Sequence, residues 1–172
     1  IYSAPGKAVK EAYDSSGVVA NDRGITVWLK GNRVSRNQIM AIKEESVTDQ
    51  KNSLTVCLDN ILRHAGITRN TEYDLAQGKT AIQILEENMT GVQVLDLSGC
   101  SLDAVLYYVN QDIPVLAILE DGEAVLVTGF NEFNVVIMEP STGKLYKKGM
   151  NDATTWFAEN GNHFISYMKI EN

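Results

Sequence analysis

A thiol becomes a nucleophile only when an imidazole or a helix N-terminus near it takes up or offsets its proton. This chain holds two cysteines, Cys57 and Cys100, and two histidines, His64 and His163. Cys57 lies inside a run of helical spacing, beside its apolar stripe, which reads as a buried and inert thiol. His64 falls on roughly the same face but about 10 Å further along the axis, so the two cannot form a dyad on a straight helix. Cys100 directly precedes Ser101, a plausible helix cap, where the helix dipole could activate it. No sequence feature supplies Cys100 with a base. The two cysteines are spaced neither as a disulfide framework nor as metal ligands, and no histidine makes a short pair with the other or with a cysteine. Neither a metal nor a cofactor is expected.

Other motifs dissolve on inspection. Gly78-Lys79-Thr80 ends like a phosphate loop, but the glycine needed five residues earlier is Tyr73. No glycine-rich turn of the dinucleotide type follows a strand. Glu120, Asp121 and Glu123 lack the alternate spacing of a cation loop and read as a solvated hairpin tip.

The bulk composition sets the frame for these residues. A chain of 172 residues, 44% hydrophobic and 22% charged, can bury one sizeable core. A net charge of −7 argues against nucleic acid and anionic membrane as partners, since both demand Lys and Arg. The longest apolar run, Ala104 to Val109, is far short of the ~20 residues that cross a bilayer. Charge is uneven: residues 1–45 carry seven Lys and Arg against five Asp and Glu, while 46–172 carry eight against seventeen. With the polar stretch Lys43 to Asn52, this divides the chain into an N-terminal extension or subdomain, 1–45, and a main domain, 46–172. The chain opens on Ile1 rather than Met, which reads as a processed or trimmed start.

The middle of the chain reads helical and the last third as hairpins. Leu54, Leu58, Ile61, Leu62 and Ala65 follow helical spacing and stop at Gly66. Thr80 caps a short helix to Glu87, and Ser101 caps another to Val109. Val94 to Leu97 reads as a strand or turn. After Pro114, two apolar runs flank Glu120-Asp121-Gly122-Glu123, a tight-hairpin signal. Further strands follow over Val135–Met138, Leu145–Lys148 and His163–Ile170, with a short helix over Asn151–Glu159. Near the start, Ala8–Tyr13 reads as helix and Ile25–Lys30 as strand. Helices first and antiparallel strands after them spell α+β.

From about Asn52 onward the chain resembles the peptidase C39-like family of papain-fold cysteine peptidases. The resemblance rests on the run Ala124-Val-Leu-Val-Thr-Gly-Phe-Asn-Glu-Phe-Asn-Val-Val-Ile-Met-Glu-Pro-Ser-Thr-Gly143. The helix ending Ile61-Leu-Arg-His-Ala-Gly-Ile67 is similar to the family's nucleophile helix, and Thr154-Thr-Trp-Phe with Gly161-Asn-His-Phe-Ile-Ser-Tyr167 to its closing helix and strand. The resemblance implies a papain-like fold, helices packed on a bent antiparallel sheet. The family's catalytic His position then falls on Glu123 and its orienting Asp position on Glu139. Its nucleophile belongs at the first turn of the helix, where this chain has Asn52 and Ser53, with Cys57 a turn too late. Gln50 is a loose match to the Gln that helps hold the oxyanion.

Two of the three triad positions thus depart from the pattern. A carboxylate at Glu123 is a poor substitute for imidazole near neutral pH. The resemblance implies a catalytically degenerate domain of an exported bacterial protein, extracellular or at the cell surface, that binds a peptide or protein segment in the former active-site cleft. Two alternatives stand beside it: an active thiol peptidase or acyl-transfer enzyme using Cys57 or Cys100 with His163, and a structural module of a larger surface protein.

Overall fold

A computed structural model describes residues 4–15, 17–30 and 52–170. Helices α1 (Pro5–Ser15), α2 (Ser53–His64), α3 (Glu72–Ala76), α4 (Ala81–Asn88), α5 (Leu102–Asn110) and α6 (Met150–Glu159) combine with strands β1 (Val18–Ala20), β2 (Thr26–Leu29), β3 (Val92–Asp96), β4 (Val115–Ile118), β5 (Ala124–Phe130), β6 (Asn134–Glu139), β7 (Lys144–Gly149) and β8 (His163–Lys169). The architecture is α+β, as the order of sequence patterns requires. β1 and β2 form a small ribbon, and the other six strands form one antiparallel sheet in the order β3-β8-β4-β5-β6-β7.

Local chemistry explains the ends of the elements. Thr80 and Gln83 form a reciprocal capping box at the head of α4. Ser101 Oγ accepts the Ala104 amide at the head of α5. The β4–β5 turn closes through the Leu119 amide on the Glu123 carbonyl at 2.8 Å, with Gly122 at φ +85°, a backbone conformation that glycine adopts without cost. A register shift between Val127 and Gly129 bends β5 where it crosses β6. No helix among the described residues is long and apolar enough to cross a membrane.

The core lies between the sheet and the helices α2, α4 and α5. β5 is buried along its whole length and packs against both α2 and α5. β7 forms one border of the sheet, pairing among the described strands with β6, and carries Lys144, Lys147 and Lys148.

Residues 4–30 share this core. Val9, Ala12, Val27 and Trp28 belong to the same buried cluster as α2, α5 and the sheet. Three hydrogen bonds fasten them to α5: Tyr13 Oη donates to Asp103 at 2.8 Å, Trp28 Nε1 to the Ala104 carbonyl at 2.9 Å, and Tyr108 Oη to the Val27 carbonyl at 2.8 Å. The boundary expected near residues 45–51 lies outside the described residues.

Candidate functional site

Helix α2 is the element that positions the site. Asn52 caps it, its side chain accepting the Leu54 amide at 2.7 Å. Val56, Cys57, Leu58, Ile61 and Leu62 turn into the core, and the helix stops where Gly66 takes φ +86°. Its head abuts the start of β5: Ser53 Oγ accepts the Ala124 amide at 2.9 Å. Ser53 thus acts as a clip, satisfying a backbone donor at the first residue of β5, before the pairing with β6 begins at Leu126.

Glu123 immediately precedes Ala124, so the clip brings it beside Ser53. Its amide is held by Asp121 Oδ1 at 2.9 Å. Glu139 ends β6, and its Oε1 accepts the Ser141 amide at 3.0 Å and the Ser141 hydroxyl at 2.8 Å. Ser53, Glu123 and Glu139, three positions that sequence reasoning singled out, line one cleft of about 300 Å³ together with Asp121, Tyr146 and Trp156. No Lys, Arg or His lines it among the described residues. The cleft wall at Trp156 has a cation close by, Lys148 Nζ lying 4.9 Å from the centre of the indole. Gln50, the fourth position, lies outside the described residues.

The two thiols are placed differently. Cys57, one turn after Ser53, is 0% exposed and does not line the cleft. Burial above all, then the carboxylates of Glu139 and Glu123, push its thiol well above the ordinary range. The electrostatics of this cleft therefore oppose a thiolate rather than favouring one. Cys100 is also buried, and its Sγ donates to the Gly6 carbonyl of α1 at 3.4 Å. Burial pushes Cys100 up to about 11, with Lys10 lowering and Asp96 raising it to smaller extents.

His163 is exposed at the start of β8, paired with Ile118. It faces another hollow, shared with Asp96, Ser98 and Glu120, and Leu119 of the β4–β5 turn borders both that hollow and the cleft. No hydrogen bond joins either sulfur to an imidazole among the described residues. His64 sits at the far end of α2, its Nε2 2.9 Å from the Asp112 carbonyl oxygen. No group of three or more His, Cys, Asp or Glu side chains among the described residues is arranged to hold a metal ion.

Among the aromatic side chains, Trp28 and Tyr108 belong to the core and Trp156 lines the cleft. Asp121 and Tyr146 are lining residues that the spacing of motifs did not single out. The sequence marks Asp121 as a turn acid and Tyr146 as one position of a strand; only the turn that folds Asp121 back and the β6–β7 register that seats Tyr146 opposite Ile137 bring them to the cleft.

The arrangement supplies carboxylates, hydroxyls, a phenol and an indole, but neither imidazole nor thiolate. These groups hold a ligand by charge, hydrogen bonds and ring contact. Carboxylates ionise near pH 4, well below an imidazole, and are correspondingly weaker bases toward a serine hydroxyl.

The buried thiols make an alkaline signature. Unfolding returns Cys100 from about 11 to its unburied 9.0, so the unfolded chain loses its proton first. The associated stability is complete below pH 9 and is lost as pH rises toward 11, by about 2–3 kcal/mol for this group. Cys57 acts in the same direction. Urea melts at pH 8 and pH 10.5 test this, and Cys100→Ala should flatten the difference.

Comparison with known proteins fits this geometry. A crystal structure described as a C39-like peptidase from Bacillus anthracis superposes with a TM-score of 0.63 at 14% sequence identity, covering 80% of this chain and 100% of that one. The chain therefore has the C39-like, papain-like fold. No family profile matches the sequence, and no curated protein matches it.

Proposed function

We propose that this is a C39-like domain without peptidase chemistry, which uses its cleft to hold a peptide or protein segment as part of an exported bacterial protein. One observation carries the reading. Ser53, Glu123 and Glu139, the positions that the sequence resemblance assigns to nucleophile, base and orienting acid, line one cleft, while both thiols are buried beneath other elements.

The charge of the cleft sets which peptides fit. Asp121, Glu123 and Glu139 line it with no cation among them, so a segment presenting Lys or Arg is favoured and an acidic one is repelled. Binding of Lys- and Arg-bearing peptides is expected to weaken with added salt. Glu123→Gln, whose carboxylate makes no hydrogen bond among the described residues, should weaken it about five- to tenfold while leaving the fold intact. The test is fluorescence-polarisation binding of a peptide set, with mass spectrometry of the same mixtures after overnight incubation. Saturable binding of intact peptides supports the reading, and stoichiometric excess of cleaved product ends it.

A further inference from the structure

The tail of α2, about 16 Å along the helix from Ser53, borders a second cavity, of about 540 Å³. Tyr167 of β8 lines it, is 2% exposed, and its hydroxyl makes no hydrogen bond among the described residues. The oxygen is not among the buried polar atoms left without a partner, so it is the ring that is buried while the hydroxyl opens into the cavity, where it can donate to a ligand. Burial first, then the Asp112 carboxylate, push the phenol above its ordinary value, which keeps it a donor at neutral pH.

Other donors meet it there. Lys169, two residues on and so on the same face of β8, lines the cavity and enters no ion pair among the described residues. The bend at Thr90 and Gly91, with Gly91 at φ +68°, adds the Thr90 hydroxyl and two amides that meet no acceptor among the described residues. The negative group of the cavity, Asp112, is turned toward the imidazole: its carbonyl oxygen is 2.9 Å and its Oδ2 3.7 Å from His64 Nε2. Ile67, Met89 and Val92 supply an apolar wall.

We propose that this cavity is a binding site for a carboxylate with an aliphatic body, the carboxylate taken by Lys169, Tyr167 and the Thr90–Gly91 bend and the body laid against Ile67, Met89 and Val92. Asp112 disfavours a dianion such as phosphate. The same carboxylate chemistry is offered by a free aliphatic acid and by the C-terminus of a peptide ending in an aliphatic residue.

Amide chemical shifts of the whole chain, followed during titration, test this with four probes: 4-methylpentanoate, its uncharged amide, N-acetyl-leucine and inorganic phosphate. Saturable shifts at Thr90, Gly91 and Tyr167 are expected with 4-methylpentanoate below about 10 mM, with the amide much weaker. N-acetyl-leucine binding more tightly than the free acid points to a peptide terminus; the reverse points to a free acid. Tyr167→Phe removes a hydroxyl with no internal partner, so its melting temperature should match the parent while affinity falls about fivefold. Absence of shifts, an amide or phosphate that binds as well as the carboxylate, or unchanged affinity in both Tyr167→Phe and Lys169→Gln overturns the proposal.

Discussion

Under native conditions Cys57 is expected to react with iodoacetamide at least about a thousandfold more slowly than a free thiol. Two effects multiply. The side chain is 0% exposed on the core face of α2, so the reagent reaches it only when the helix leaves β5, a rare opening of the most buried part of the molecule. Burial and the carboxylates of Glu139 and Glu123 also hold the thiol protonated, and the thiolate is the reacting form. Timed quenching with peptide mapping separates Cys57 from Cys100, and in denaturant both should label at the free-thiol rate. Fast, selective labelling of Cys57 in the native protein would return the thiol to the active site and restore the peptidase reading. This is the measurement on which the functional conclusion turns most sharply, because a papain-like enzyme without a reachable thiolate has no acyl intermediate to form.

Trp28→Ala is expected to cost about 3–5 kcal/mol of unfolding free energy. The indole is 2% exposed and stacks at a tilt against Tyr13 and Tyr107, with ring centres 6.4 Å away in each case. Its Nε1 donates to the Ala104 carbonyl, which would be left without that partner inside the core. Trp28→Phe keeps most of the apolar area but loses the donor, and should cost about 1–2 kcal/mol. Urea denaturation of the full chain reads both. A single transition shifted by these amounts means that residues 4–30 fold as part of the main core. A loss under about 1 kcal/mol, or a separate early transition, would make the N-terminal segment an appendage, as the charge step near residue 45 suggests when read alone.

That contrast shows where sequence reasoning succeeds. Local signals were legible: Thr80 and Ser101 as caps, Gly66 as a stop, Asp121-Gly122 as a turn, because each is decided by a few neighbouring residues. The helix α3, five residues long, and the three-residue strand β1 left no readable period. Strand order was not legible either. β3 pairs with β8 across most of the main domain, and nothing in Val92–Asp96 states its partner. The candidate site was half legible. The resemblance placed Ser53, Glu123 and Glu139 by position in strings of residues, and their meeting in one cleft depends on the clip between Ser53 and the Ala124 amide, which no spacing reveals. His163 looked available as a base because it is one of only two imidazoles; the β4–β5 turn stands between it and the cleft.

The border strand β7 has a bearing on how the molecule behaves in company. Among the described strands it pairs with β6 alone, and a border strand is where sheets recruit further strands and grow into fibres. Lys144, Lys147 and Lys148 crowd that rim, and a second copy approaching edge to edge would have to bring its own three ammonium groups against them. The strand is thus a fence against its own kind.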